Sequence, residues 1–265
     1  MSGLSLWLRY ARASLAGQVR YPGAFALQMA GHFATTLLAF AGIWILFRRF
    51  GSLHGWTVGQ VALFYGLVNI EFAIAEMAGR GFEIFGDAFL RTGEFDRILL
   101  RPRWTVLQVL GHQFRLRPLA RLAQGAAILA LGLAATPVRP ALFTAPMLAW
   151  AVGGGVAFFL GVLIGQAALS FRTLESLEIV NVLTYGGVEA GQYPFDLYAG
   201  WFRVLMTWIA PLGAVTYYPV LAILDHPGVP PPAIAPLAPG LGYLFLGAML
   251  LYWQSAVRRH ASSGS

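Results

Sequence analysis

The chain contains no cysteine and no lysine, since all 18 of its basic residues are arginine. Without cysteine there are no disulfides, thiol nucleophiles or cysteine-ligated zinc and iron–sulfur centres. Without lysine there is no Walker-type phosphate loop, whose lysine must reach the nucleotide phosphates, and no Schiff-base or pyridoxal chemistry. Charge of either sign is scarce as well: Asp, Glu, Lys and Arg make up 11% of the 265 residues, against roughly 25% in an ordinary soluble domain. Combined with 58% hydrophobic residues and a mean hydropathy of +0.66, this excludes a soluble enzyme and places the chain in a membrane. A pI near 10.1 would suit a nucleic-acid binder. The arginines, however, lie in short segments between apolar runs and form no basic domain face, so no nucleic-acid partner is expected.

A membrane-crossing helix needs about 20 mainly apolar residues. Such runs, punctuated by charge and proline, fall at 22–47, 56–78, 118–135, 141–170, 177–192 and 239–257. They describe an all-α polytopic membrane protein with six spans in one domain, 1–265, the third and fourth joined by a tight turn at Thr136 to Pro140. The stretch 195–224 breaks the pattern. Trp201 to Leu224 is apolar enough to span, but Pro211 cuts it into halves of about ten residues, and Tyr193-Pro194 and Pro219 add further breaks. A re-entrant or interfacial hairpin between the fifth and sixth helices is expected there; the alternative is one proline-kinked seventh span. At the start, Leu4, Trp7, Leu8, Ala11 and Leu15 recur at helical spacing, with Arg9 and Arg12 on another side. Residues 1–21 thus read as an amphipathic helix in the interface, followed by an apolar run too long for the core of a cleaved signal peptide.

Arginine placement sets the orientation, because cytoplasmic loops are enriched in Lys and Arg. With the N-terminus inside and six spans, Arg9, Arg12, Arg20, Arg80, Arg91, Arg97, Arg101, Arg103, Arg115, Arg117, Arg121, Arg172, Arg258 and Arg259 fall on the inner side. Only Arg48, Arg49, Arg139 and Arg203 fall outside. Both termini are therefore expected in the cytoplasm, with membrane lipid as the surrounding partner.

Intramembrane carboxylates are costly and count as functional candidates by default. Glu71 and Glu76 lie in the second span, five residues and so about 140° apart, which gives them different faces. Each has two readings: an ion pair with Arg115, Arg117 or Arg121 of the next helix, or substrate and proton handling. Glu189, near the end of the fifth span, carries the same pair of readings. The five histidines are scattered singly without an HExxH, and Ser170 and Ser176 lack a GxSxG setting, so neither a metal site nor a hydrolase is indicated. Gly161 and Gly165, like Gly187 and Gly191, form GxxxG pairs suited to close helix packing within the protomer. No catalytic, metal or cofactor site is expected.

The longest polar segment, 79–103, reads GRGFEIFGDAFLRTGEFDRILLRPR and alternates apolar residues with both charge signs. It suits a short amphipathic helix plus turn that offers charge-assisted hydrogen bonds to a soluble partner. Its core, Gly93-Glu94-Phe95-Asp96-Arg97-Ile98-Leu99-Leu100-Arg101-Pro102, resembles the G-x-x-D-x-x-L-x-R-P segment that follows the second span of ABC-2 type permeases. Tyr193-Pro194, the Pro211 to Pro219 stretch and the closing Trp253 with Arg258 to Gly264 extend the resemblance over most of the chain. It implies a non-catalytic membrane subunit of an ATP-binding cassette exporter in the bacterial cytoplasmic membrane. It further implies a dimer with an identical or related second permease and separately encoded ATPase subunits that carry the ATP and Mg. Segment 79–103 would then be the cytoplasmic coupling loop, with Gly93, Glu94, Phe95, Asp96, Arg97, Arg101 and Pro102 as its working residues. Two other classes are compatible with the residues alone. One is an ion- or proton-coupled secondary transporter using Glu71, Glu76 or Glu189, although the broken region near the C-terminus has no first-half counterpart of the kind common in such carriers. The other is a non-transporting membrane scaffold.

Overall fold

The computed structural model describes residues 22–173, 182–226 and 235–260. The expected interfacial helix at 1–21, the first part of the fifth span at 177–181 and the tail beyond His260 lie outside them. Among the described residues all regular structure is helical. We number the helices α1 (Pro22–Phe50), α2 (Val58–Glu83), α3 (Glu94–Leu99), α4 (Thr105–Leu110), α5 (Leu119–Ala135), α6 (Ala141–Thr173), α7 (Tyr185–Gly191), α8 (Gly200–Val204), α9 (Tyr218–Leu224) and α10 (Gly240–Arg258).

Four helical segments are long and apolar enough to cross a membrane: Ala26–Phe50, Val58–Leu90, Ala141–Thr173 and Ala235–Arg258. A bent pair, Gly200–Ile209 with Gly213–Leu224, makes a fifth if its halves count as one span. The remaining runs differ from simple spans. Helix α5 is apolar but has only 17 residues, and the run at 177–192 contains a turn at residues 182–184 before the seven-residue α7.

Helix α2 is the centre of the bundle. It starts in a capping box, in which Thr57 Oγ1 accepts from Gln60 N at 3.3 Å and Gln60 Oε1 accepts from Thr57 N at 2.9 Å. It packs against α5 on one side and α6 on another, while α6 also carries α10. The α2–α5 contact is close because glycines face backbone: a Cβ at Gly66 would stand 2.6 Å from Leu129 N and 2.7 Å from Gly125 O. The Gly161 and Gly165 pair is likewise used inside the protomer, against Phe245 and Met249 of α10.

The second span outruns its expected end at residue 78. Helix α2 continues to Glu83 and passes through Ile84 and Phe85 into a π-helical turn at Gly86–Leu90. Gly79 lies against Leu160 and Leu163 of α6, and Gly81 against the backbone of Val109. Phe82, Phe85 and Phe89, spaced to share one side of the helix, are all buried. The charges at Arg80 and Glu83 end the lipid-compatible stretch without ending the helix, because they pair with each other at 2.6 Å. At 1.5 Å per residue the 33-residue unit is about 50 Å long, more than the ~30 Å hydrocarbon core. One end therefore projects beyond the bilayer, and that end carries the polar segment.

The broken region bends by 87° between its halves. Pro211 supplies the cause: it removes a backbone donor and drives the residue before it out of the helical region, and Ala210 is extended at φ −104° and ψ 96°. The first half is largely exposed, with Trp201, Val204, Trp208 and Ile209 outward, whereas the second buries Val215, Thr216, Val220, Leu221 and Ile223. Trp56, from the α1–α2 connection, clamps this region by donating its indole N–H to both Asp196 carboxylate oxygens, at 2.9 and 3.1 Å, and stacking on His226 at 4.7 Å. Arg139, in the α5–α6 turn, pairs with Asp225 at the end of α9.

Candidate functional site

Two places gather the residues singled out by the sequence. The first is the projecting end of the bundle. Gly93 precedes α3 with φ 69°, a left-handed conformation that side chains disfavour, and this lets the chain reverse after the π-helical turn. Thr92 Oγ1 donates back to Ala88 O at 2.7 Å and steadies the same turn. Six residues are too few for a helix to persist alone in water, so α3 depends on what it packs against. Phe95 and Ile98, three apart, face inward and are buried.

Phe95 is 1% exposed and enters a cluster of rings. Its ring centroid lies 5.1 Å from Phe85, 5.1 Å from Phe171, 6.0 Å from Trp253 and 5.6 Å from His260. Phe85 follows α2, Phe171 belongs to α6 and Trp253 to α10, so one side chain of a short helix touches three long segments. The Trp253 indole donates to Thr105 Oγ1 of α4 at 3.0 Å. Gln108 of α4 donates to Ile98 O at 3.3 Å and to Arg103 O at 3.1 Å, which ties the end of α3 to the following turn.

The outward side of this end is mixed in character. Glu94, Arg97, Leu99, Leu100, Arg101, Pro102, Arg103 and Trp104 are exposed, and Leu100 reaches 85%. Asp96 is turned partly inward, with His260 Nε2 3.3 Å from its Oδ1. The motif therefore divides into bracing residues (Gly93, Phe95, Asp96, Ile98) and presented ones (Glu94, Arg97, Leu100, Arg101, Pro102). Sequence reasoning did not single out Leu100, Gln108, Phe85, Phe171 or Trp253 for this end. The Phe82, Phe85, Phe89 spacing was a usable signal for the ring cluster; nothing local in sequence marks Gln108.

The second place is the middle of α2. The five-residue separation of Glu71 and Glu76 does send them to different neighbours. Glu76 pairs with Arg121 of α5 at 3.2 Å, and Arg121 lies over the Phe72 ring at 5.0 Å. Glu71 pairs with none of Arg115, Arg117 and Arg121. Its side chain is fully buried against Gly155 of α6, Oε2 accepts from Thr216 Oγ1 at 2.9 Å, and Oε1 has no hydrogen-bond partner among the described residues. Thr216 lies in the second half of the broken region, so this carboxyl joins α2, α6 and that half. Glu189 is exposed on α7 and joins neither place.

Helices of spanning length, apolar surfaces and a projecting polar end define a multi-pass membrane protein. Residues 33–264 match the family model described as ABC-2 family transporter protein. The chain belongs to that family and is a membrane permease of ABC transport. Comparisons with curated proteins and with solved structures give no match.

Proposed function

We propose that this chain is the permease subunit of an ATP-binding cassette exporter, working as a dimer of permease protomers with separately encoded ATPases that dock on α3 and the turn after it. The observation that carries the reading is Phe95: the helix bearing the family-like motif is keyed by one side chain into rings from α2, α6 and α10, while Arg97, Leu100 and Arg101 remain outward. A rigid displacement of α3 by a partner would be passed to three long helical segments at once. In this reading six spans cross the bacterial cytoplasmic membrane, 195–224 forms the re-entrant element, and both termini lie on the cytoplasmic side with 79–103. The chain itself performs no covalent chemistry and holds no cofactor; ATP and Mg belong to the partner.

Affinity purification from native membranes in mild detergent, with partner identification and an ATPase assay, tests this directly. Wild type should retain a Walker-motif ATPase, and an Arg97→Glu/Arg101→Glu variant should lose it. The fully buried Glu71, with one carboxylate oxygen unpaired among the described residues, favours a second reading as a proton-coupled carrier. Transport by a purified chain lacking any ATPase, driven by a proton gradient and abolished in Glu71→Gln, would replace the first reading with this one.

A further inference from the structure

Glu189 joins neither of the two places above, yet it sits at the middle of the bundle. Two glycines of its own helix fix its level. A Cβ at Gly191 would stand 2.8 Å from the Val68 side chain of α2, and one at Gly187 3.8 Å from the Phe159 ring of α6. Val68 lies eleven residues after Thr57 and twelve before Arg80, about 16 and 18 Å from the ends of the apolar stretch. Phe159 is likewise near the midpoint of α6. Glu189, between the two glycines, is therefore near the bilayer centre. Gly187, Val188, Ala190 and Gly191 are buried whereas Glu189 is exposed, so its side chain is turned away from the packed side of α7.

A carboxylate is costly against lipid tails at that depth, and such groups face a water-filled path or an opposite charge. Glu189 forms no ion pair among the described residues. Arg121, which lies over the Phe72 ring at 5.0 Å, is held by Glu76 at 3.2 Å. The other described arginines stand in terminal turns of helices or in the connections between them. The segment 174–181, ahead of α7 in sequence, contains Glu175 and Glu178 and no basic residue. A symmetric second copy would bring another carboxylate to the same depth. The group that this position lacks is a cation.

The surroundings decide which kind. Tyr185, four residues before Glu189, shares its face of α7 and is 42% exposed. Tyr198 donates its hydroxyl to Ala190 O at 3.1 Å, and Tyr65, Tyr193 and Tyr198 are all within electrostatic reach of Glu189. A hard metal ion would need about six oxygen ligands, and no three acidic, histidine or cysteine side chains come together among the described residues. An organic ammonium or phosphonium ion needs only one counter-charge, with aromatic faces to cover its apolar substituents.

We propose that Glu189, flanked by Tyr185 and Tyr193, is a mid-membrane recognition site for a lipophilic organic cation. This names the substrate class of the transport path and rests on the exporter reading. One charge and a few rings set the sign and the apolar character of the guest, so the site selects a class of cations.

The test uses the full chain, purified with the partners it retains and placed in phosphatidylcholine nanodiscs, with empty nanodiscs as the background. Tetraphenylphosphonium and its anionic isostere tetraphenylborate are titrated in parallel. The phosphonium should bind saturably. Glu189→Gln should weaken it by about tenfold, Glu189→Asp should keep most of the binding, and Tyr185→Leu should weaken it by about threefold while Tyr185→Phe does not. Tetraphenylborate should show no loss in any of them. Unchanged phosphonium binding in Glu189→Gln, or equal weakening of both ions, would overturn the assignment. So would loss of the dimer in Glu189→Gln by native mass spectrometry with phosphonium binding intact, which would make the residue part of a protomer contact. If Glu189→Gln does not fold, the Tyr185 pair decides between ring recognition and none. The outcome separates from that of the exporter reading: phosphonium binding that depends on Glu189 in a chain retaining no ATPase keeps the site and removes the exporter, whereas a retained ATPase with binding indifferent to Glu189 does the reverse.

Discussion

The projecting end and the middle of the bundle hold non-spanning segments in opposite ways. At the end, α3 is anchored by many weak, overlapping ring contacts, since Phe85, Phe95, Phe171 and Trp253 each touch the other three. In the middle, the polar contact among the described residues between the second half of the broken region and α2 is the Thr216 bond to Glu71, beside the Tyr217 ring stacked on Phe64 at 5.7 Å. Aromatic pairs are each worth about 0.5–1.5 kcal/mol beyond their burial, and their redundancy gives a stiff joint that no single small shift releases. A lone hydrogen bond in an apolar interior is strong when made and leaves two costly groups when broken. The first arrangement suits a segment that must move as one body with its helices; the second suits a segment with two distinct positions.

The sharpest way to break the comparison is Phe95→Ala. Removing a buried Phe ring costs about 3–5 kcal/mol, and here the loss falls on a helix too short to survive it. Limited proteolysis should open the chain within 91–103, and the thermal midpoint in detergent should fall. Leu100→Ala, at a position 85% exposed on the same helix end, should change stability by no more than about 0.5 kcal/mol. Equal effects from the two would mean that the ring cluster does not anchor α3.

Glu71→Ala comes next, at about 1–3 kcal/mol for an unsatisfied Thr216 hydroxyl, plus the hollow left against Gly155. Glu71→Gln keeps an acceptor for Thr216 and should cost distinctly less. The absence of cysteine makes this measurable by labelling: a single cysteine placed at Val215, which is buried, should be slow to react in the parent and faster in Glu71→Ala. Identical reactivity in the two would show that the carboxyl does not hold the broken half.

These contrasts also mark what the residues alone could show. The helical membrane class, the tight turn at Thr136 to Pro140 and the break at Pro211 were legible, because hydropathy and proline act locally on the backbone. The extent of the second span was not, since Arg80 and Glu83 read as a terminus when each is taken alone and are neutral when paired across one turn. Of the candidate site, the motif was visible but its division was not. Whether Asp96 points outward depends on His260, 164 residues away, and helical spacing cannot report a partner from another helix. For the same reason spacing left both readings of the two glutamates open, and among the described residues Glu76 makes the arginine pair whereas Glu71 turns to Thr216.

A smaller effect is expected at the Glu76–Arg121 pair, whose side chains are each only 14% exposed. Removing either partner leaves the other poorly solvated, so Glu76→Gln and Arg121→Gln should each destabilise. The double variant should cost less than their sum, with a coupling of about 1 kcal/mol. Strict additivity would reduce the pair to a chance proximity and leave the Phe72 contact as the main role of Arg121.

The smallest change in stability should come from Arg97→Glu, and it bears most directly on the proposed function. Arg97 is exposed and forms no ion pair among the described residues, so its replacement should shift the thermal midpoint of the isolated chain hardly at all, within about 0.5 kcal/mol. If α3 receives an ATPase, the same substitution places a repulsive charge on the docking face and should lower ATPase retention by about tenfold, equivalent to about 1.4 kcal/mol. Asp96→Asn should act in the reverse sense, with a modest fall in midpoint from the weakened His260 contact and a smaller loss of partner, because its carboxylate is turned toward the bundle. The two residues are neighbours in one motif, yet the geometry assigns one to the joint and the other to the face. A joint residue is recognised by loss of midpoint and a face residue by loss of partner, so Arg97→Glu lowering the midpoint as Phe95→Ala does would move Arg97 into the joint and leave Leu100 and Arg101 to carry the face.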